Sequence, residues 1–180
     1  MGLKKWFGAA EQEEAYQEYT LSTLKVGFLV DYDLKTWQVT GYGTYDYDGF
    51  VTEEWNLTAD SEVNFLERAV DDGKTFWTLT QAIEVAQIEG DIANAIIANH
   101  EPPEEVRYGD QTYTGTESGA GLFLEGGEGA GREFVTWSLE GADGRVLFIS
   151  QWGERDFSAC EGCRVEEYQF TDILPAAEGR

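Results

Sequence analysis

TWQVTGYGTYDYDGFVTEEWNL, residues 36–57, alternates aromatic and polar side chains, turns once on an Asp-Gly, and returns through two glutamates to a tryptophan. Alternation of this length predicts a β-hairpin, because successive side chains of a strand point to opposite faces, and Asp-Gly is a strong two-residue turn signal. A two-residue turn at Asp48-Gly49 pairs Tyr47 with Phe50, so odd positions before the turn share a face with even positions after it. Yet Trp37, Val39, Tyr45 and Tyr47 are odd, and so are Val51, Trp55 and Leu57. The apolar stripes then fall on opposite faces. Either the loop has an odd length with Gly49 left-handed, or a bulge at Gly41-Tyr42-Gly43 shifts the register, or one aromatic stripe is bare and binds something. The last option makes Tyr42, Tyr45, Tyr47, Asp48 and Trp55 the candidate binding residues.

The same grammar extends in both directions. Short runs rich in β-branched and aromatic residues, "VGFLVDY", "VNFLERA" and "TFWTLT", separated by Asp-Leu-Lys, Asp-Gly and Asp-Asp-Gly signals, predict a first antiparallel meander over residues 21–86. Ile88, Ile92, Ala95 and Ile96 then recur at helical spacing, with Asp91 as cap and Pro102-Pro103 as stop, so residues 87–103 are expected to hold one short helix and a linker. Strand grammar resumes over 104–175, before a tail at 176–180. An acidic, helix-prone arm, residues 1–20, precedes it all.

The expected fold is mainly β: two small antiparallel meanders or open barrels joined by a short helix. Duplication is an open alternative, since Tyr32-Asp33 before Trp37 parallels Tyr108-Gly109-Asp110 before Tyr113, and "EEWNL" parallels "FVTWSL". The Asp-Gly hairpin would then answer the Gly-rich "EGGEGAGRE".

Composition bounds the chemistry. A chain of 180 residues with 42% hydrophobic and 14% aromatic content is globular, long enough to bury roughly 70% of its unfolded surface. Twelve Lys and Arg against 35 Asp and Glu give a net charge of -23, which repels phosphate backbones and anionic headgroups, so no nucleic-acid partner is expected. No run approaches the roughly 20 apolar residues of a membrane span. "MGLKKWFG" lacks a secretory core, and Trp6 stands where a myristoylation motif needs Ser or Thr, so the expected location is cytoplasmic. Leu3, Trp6 and Phe7 beside Lys4 and Lys5 would give residues 1–8 at most a weak membrane-surface contact.

Cys160 and Cys163 form a C-x-x-C and are the only cysteines. They sit between β segments rather than at a helix N-terminus, and His100, the only histidine, lies far upstream, so neither a redox motif nor a complete zinc site is expected. A zinc shared across a dimer is the one metal alternative, against a hairpin turn with two incidental thiols or an adventitious disulfide between them. His100 as the sole imidazole nearly excludes nucleophilic triads and suits a helix C-terminus. Glu53, Glu54, Asp46 and Asp48 at one hairpin end, and Glu125 and Glu128 at the other, keep a carboxylate pair in the inventory, although no spacing singles out two of them. "DYDG" lacks the third Asp and spaced Glu of a calcium loop. Of Trp37, Tyr42, Tyr45, Tyr47, Trp55, Trp77, Trp137 and Trp152, about two thirds are expected in a core, because they alternate beside Val and Leu as core residues of a sheet do.

The stretches 24–45, 53–57, 106–123 ("VRYGDQTYTGTESGAGLF"), 137–157 and 165–173 together resemble a bacterial family, domain of unknown function four-one-seven-eight, over about Leu21 to Leu174. The shared motifs are turn glycines and aromatic strand positions, which argue for fold more than chemistry. The resemblance implies a turn at Gly162 and no catalytic residues. It also implies an accessory role near membrane-stress, phage-shock-type or polyamine-synthesis proteins. The expected function is a non-catalytic module that binds a partner protein, with no cofactor. Two alternatives stand beside it: a carboxylate-dependent hydrolase or lyase on a neutral or cationic small molecule, recognisable by a concave pocket with two converging carboxylates, and a ligand-binding β-barrel, recognisable by an open cavity.

Overall fold

The computed structural model describes residues 19–175. The expectations for residues 1–18, including the membrane contact of residues 1–8, and for the tail 176–180 lie outside the described residues. Eleven strands form one antiparallel sheet: β1 Phe28–Tyr32, β2 Lys35–Tyr47, β3 Phe50–Ala59, β4 Glu62–Asp71, β5 Lys74–Ile83, β6 Glu105–Tyr108, β7 Gln111–Glu125, β8 Arg132–Glu140, β9 Arg145–Gly153, β10 Asp156–Val165 and β11 Thr171–Pro175. The fold is mainly β, and the two meanders close on each other. β5 pairs with β10 along one seam, and β2 pairs with β7 from Gly43↔Glu125 to Asp46↔Leu122 along the other. The result is a ring of eight strands, β2-β3-β4-β5-β10-β9-β8-β7, with β1 and β11 continuing beyond β2 and β6 beyond β7.

The halves repeat each other. β1–β5 and β6–β10 have the same hairpin order, and each long second strand is bulged, once between Val39 and Gly41 and once between Gly115 and Glu117. The bulged residues match: Thr40 Oγ1 donates to the Asn56 carbonyl at 3.4 Å and Thr116 Oγ1 to the Ser138 carbonyl at 3.0 Å. Trp55 corresponds to Trp137 and Trp37 to Tyr113, all four buried.

The first bulge resolves the hairpin's register conflict. Asp48-Gly49 is a two-residue turn with both residues at positive φ (58° and 101°) and Tyr47 opposite Phe50, as a type I′ hairpin requires. Thr40 is the extra residue, immediately before the expected glycine window. It brings Trp37, Val39, Tyr42, Trp55 and Leu57 onto one face and leaves Tyr45 and Tyr47 on the other.

Both hydrophobic cores lie on the outer surface of the ring. The first packs Val39, Trp55, Leu66, Trp77 and Val165 beneath Leu21, Leu24, Val30 and Phe170. The second packs Trp137, Leu139, Leu147 and Ile149 beneath Ile88, Val106 and the α-helix α1, Ile92–Asn99. α1 begins later than its periodicity suggests: Asp91 Oδ1 accepts from the Asn94 backbone N–H at 3.3 Å, so Ile88 stands before the helix, bridged to Tyr108, while joining the same core. His100 caps the C-terminus of α1 in the left-handed region at φ 65°.

Glycine permits each seam. A Cβ at Gly162 would fall on the Leu79 carbonyl oxygen, and one at Gly121 on that of Asp46. Gly162 therefore sits in mid-strand where β10 crosses close to β5, not in the turn that the family resemblance implies. Gly162→Ala is expected to lower the unfolding free energy by about 3 kcal/mol, measured by urea denaturation. A change within about 0.5 kcal/mol would mean that the seam opens freely.

Candidate binding site

Because the apolar stripes pack outward, the inner positions of the ring are left mainly to polar and aromatic residues, with Ala69 and Val146 among them, and they do not fill it. A cavity of about 590 Å³ is lined by side chains from all eight ring strands. Phe50 and Phe76, each 44% exposed, stand at one mouth. A second hollow of about 440 Å³ shares Tyr45, Glu54, Trp152, Ser158 and Cys160 with the first and extends toward Val85.

One wall is aromatic. Tyr45 lies 4.8 Å from Phe123, 5.2 Å edge-on from Phe134 and 6.4 Å from Trp152, centroid to centroid, and stacks 6.5 Å from Tyr47. Two glycines make room for these rings: a Cβ would come within 2.9 Å of Tyr47 at Gly119 and within 2.6 Å of Phe123 at Gly43. Arg132 lies 4.9 Å over the Trp152 ring while pairing with Asp156.

The wall made by β3 and β4 carries charge. Glu54 and Glu67 are register partners facing the lumen. One position along, on the outer surface, Glu53 faces Arg68 and the two form an ion pair at 2.6 Å, with the Tyr42 hydroxyl donating to Glu53 at 3.0 Å. The outer pair is matched; the inner pair is two like charges in direct opposition, which is destabilising. Tyr45 donates to Glu54 Oε2 at 3.3 Å. Burial, and then the Glu67 charge, push the Glu54 carboxyl up to about 7, with the Tyr45 bond opposing. Burial, and then Glu117, push Glu67 up to about 7. Burial and these same carboxylates hold the Tyr45 and Tyr47 hydroxyls neutral, above the usual phenol range. Among the lining residues Arg164 is the one cation, and it pairs with Glu140. Thr52, 3% exposed, lines the cavity with an Oγ1 that has no hydrogen-bond partner.

The structure divides the five residues singled out in the hairpin. Tyr45 and Tyr47 line the lumen, Tyr42 and Trp55 belong to the outer core with rings 5.5 Å apart, and Asp48 occupies the exposed turn. Of the eight aromatics weighed from sequence, Trp37, Tyr42, Trp55, Trp77 and Trp137 pack in the cores, and Tyr45, Tyr47 and Trp152 line the cavity. Among the six carboxylates considered at the hairpin ends, only Glu54 reaches the cavity.

Cys160 and Cys163 lie within β10, not at a hairpin turn. Three residues apart on a strand, they point to opposite faces: Cys160 lines the lumen and Cys163 packs on the first core. A zinc shared across a dimer needs both thiols on one surface, so this geometry does not offer it. Burial, and then Glu54, raise the Cys160 thiol to about 12, and its bond with Thr80 opposes the shift. The thiol stays protonated and a poor nucleophile.

Glu67, Glu117, Thr52 and Cys160 were not legible as site residues. The available signal was polar residues at every second position of otherwise apolar strands, which becomes informative only once the bulge at Thr40 fixes which parity faces inward.

These features define a class: a closed antiparallel barrel whose hydrophobic cores lie outside the ring and whose lumen is open, aromatic and acidic. Within that class the chain belongs to the family described as domain of unknown function DUF4178, whose model matches residues 25–167. It is 27% identical over 175 residues to an uncharacterized protein of Aquifex aeolicus (strain VF5), a match covering 96% of each chain. No solved structure matches it. Among the described residues, no helix is long and apolar enough to cross a membrane.

Proposed function

We propose that the barrel is a binding module that holds a small molecule in its lumen without transforming it. The observation that carries this is a cavity of about 590 Å³ lined by all eight ring strands, a volume within the range of pockets that enclose small ligands. A barrel that needed only to be stable would fill its interior with side chains; here stability comes from the two outer cores, and the lumen is free for binding. The accessory role implied by the family resemblance remains a proposal beside this one: such a module acts through a partner protein, and pull-downs with and without a filled lumen test the link.

Native mass spectrometry of the purified chain is expected to detect a bound small molecule. Ser138→Trp, which fills the lumen from β8, is expected to abolish that mass while the strand signature in circular dichroism persists. Ala69→Phe does the same from β4 should the first variant fail to fold. Re-adding the released molecule at 100-fold over its Kd should stabilise the wild type by about 2.7 kcal/mol. A wild-type chain with no bound mass, or with one that survives both fillings, would sink the proposal.

A second reading, the carboxylate-dependent hydrolase or lyase, is favoured by carboxyls titrating near 7, where general acids and bases work best. Against it, Glu54 and Glu67 project side by side from one wall, whereas glycoside hydrolysis needs carboxyls on the two sides of the bond that breaks. Turnover of the released molecule by the wild type, lost in Glu54→Gln, would decide for the enzyme.

A further inference from the structure

We infer that the lumen's ligand is a compact organic cation, with an ammonium head held by Glu54 and Glu67 and lying against the rings of Tyr45 and Trp152. This rests on the reading of the barrel as a binding module and names the class of molecule bound.

Charge is the first ground. Adjacent positions of the β3–β4 ladder are treated oppositely: outside, Glu53 has Arg68 as counterion; inside, Glu54 faces Glu67. Arg164, the lumen's one lining cation, is committed to Glu140. An enclosed like-charge pair costs stability unless it is protonated or a cation sits between the carboxylates, and an ammonium head supplies both charge and hydrogen-bond donors. An anionic ligand would meet Glu54, Glu67, Asp71, Glu117 and Glu140.

Thr52 is the second, independent ground. It is cross-strand from Tyr45, 3% exposed, and its Oγ1 has no partner. Buried hydroxyls in folded proteins are almost always paired, so an unpaired one lining a cavity points to a ligand group that completes it. A hydroxyl or N–H on the cation fits that place.

The aromatic wall separates an organic cation from a metal ion. Rings attract ammonium groups through their negative faces but supply no oxygen ligands, and calcium takes six to eight. Among the described residues, no group of three or more His, Cys, Asp or Glu is placed to hold a metal. Tyr45, Tyr47, Phe134 and Trp152 instead form an apolar surface for methyl or methylene groups.

The test uses calorimetric titration of the full chain at about pH 8, where Glu54 and Glu67 are ionised, with choline and butylammonium as probes. Each is matched to an uncharged counterpart, dimethylbutanol and butanol, at constant ionic strength. At least one cation is expected to bind at least about tenfold more tightly than its counterpart, and Glu54→Gln/Glu67→Gln to lose that preference. Nearer pH 7, binding should release protons, seen as a heat that varies with the buffer's ionisation enthalpy; surface association would not produce this. Cations that bind the double variant as well as the wild type, or uncharged counterparts that bind as tightly, overturn the assignment. A neutral or anionic molecule found in the native mass spectrum also overturns it while leaving the binding barrel intact. Failure of all four probes, with no bound mass, removes both readings together.

Discussion

Trp55→Ala is expected to lower the unfolding free energy by about 4 kcal/mol, the cost of deleting a fully buried indole. Trp55 is 1% exposed at the centre of the first core, with its ring 5.5 Å from Tyr42 and 5.9 Å from Trp77. Its Nε1 donates to the Leu24 carbonyl at 3.2 Å, so the same side chain holds the segment leading into β1 against the barrel wall. The variant loses packing and leaves a buried carbonyl without its donor, and the two penalties add. A drop in denaturation midpoint at unchanged m-value measures it. Tyr42→Phe is the control: it keeps the ring and removes only the half-buried bond to Glu53, so a change below about 1 kcal/mol is expected. If both substitutions cost the same small amount, the outer core does not carry the fold.

The fold was legible because two signals agreed locally. Period-two alternation marked the strands, and Asp-Leu-Lys, Asp-Gly and Asp-Asp-Gly marked turns now seen with Asp33, Asp48 and Asp72 at positive φ. The matching placement of Trp37 and Tyr113, and of Trp55 and Trp137, pointed to the repeated topology. The closure was not legible. Seams β2–β7 and β5–β10 join residues distant in sequence, and their local signature is only a glycine in each of two strands, Gly121 and Gly162. The site followed the same division. The conflict of parity at Tyr45, Tyr47 and Trp55 was visible, and so was the alternative that one aromatic stripe serves a different face. The two-residue turn by itself puts Glu54 on the face of Tyr45 and Tyr47; that this face lies opposite Trp37 and Val39 depended on Thr40, a residue with no composition signal for a bulge. Glu54 and Glu53 are neighbours in sequence, yet one enters the lumen and the other pairs with Arg68 outside.

Placing both cores outside the ring has an energetic consequence. Apolar burial that would otherwise fill the lumen is relocated to Val39, Trp55, Leu66, Trp137, Leu147 and Ile149, all beneath the covering segments. At roughly 25 cal/mol per Å² of apolar surface, those covering segments are what allow an interior with two enclosed carboxylates. Stability and binding are thereby separated onto the two faces of the same strands, so lumen substitutions are expected to alter ligand and pH behaviour, and outer-face substitutions to alter folding.

The unliganded protein is accordingly expected to lose stability as pH rises, with Glu54 and Glu67 as the main lumen contributors. Both carboxyls titrate near 7 in the fold, against an ordinary value of 4.5. Between those values the folded state holds protons that the unfolded chain has released, so unfolding becomes easier with each step upward in pH. The contribution is fully present below about pH 4.5 and is lost as pH passes through about 7, on the order of 4 kcal/mol for the two together, because protonating one relieves the other. The net charge of -23 destabilises in the same direction, so the comparison that isolates the pair is a substitution. Glu54→Gln/Glu67→Gln should match the wild type near pH 4.5, exceed its stability at about pH 8, and flatten the curve between. Denaturant unfolding at several pH values reads this directly, and parallel curves for the two proteins would show that the lumen carboxyls ionise without cost.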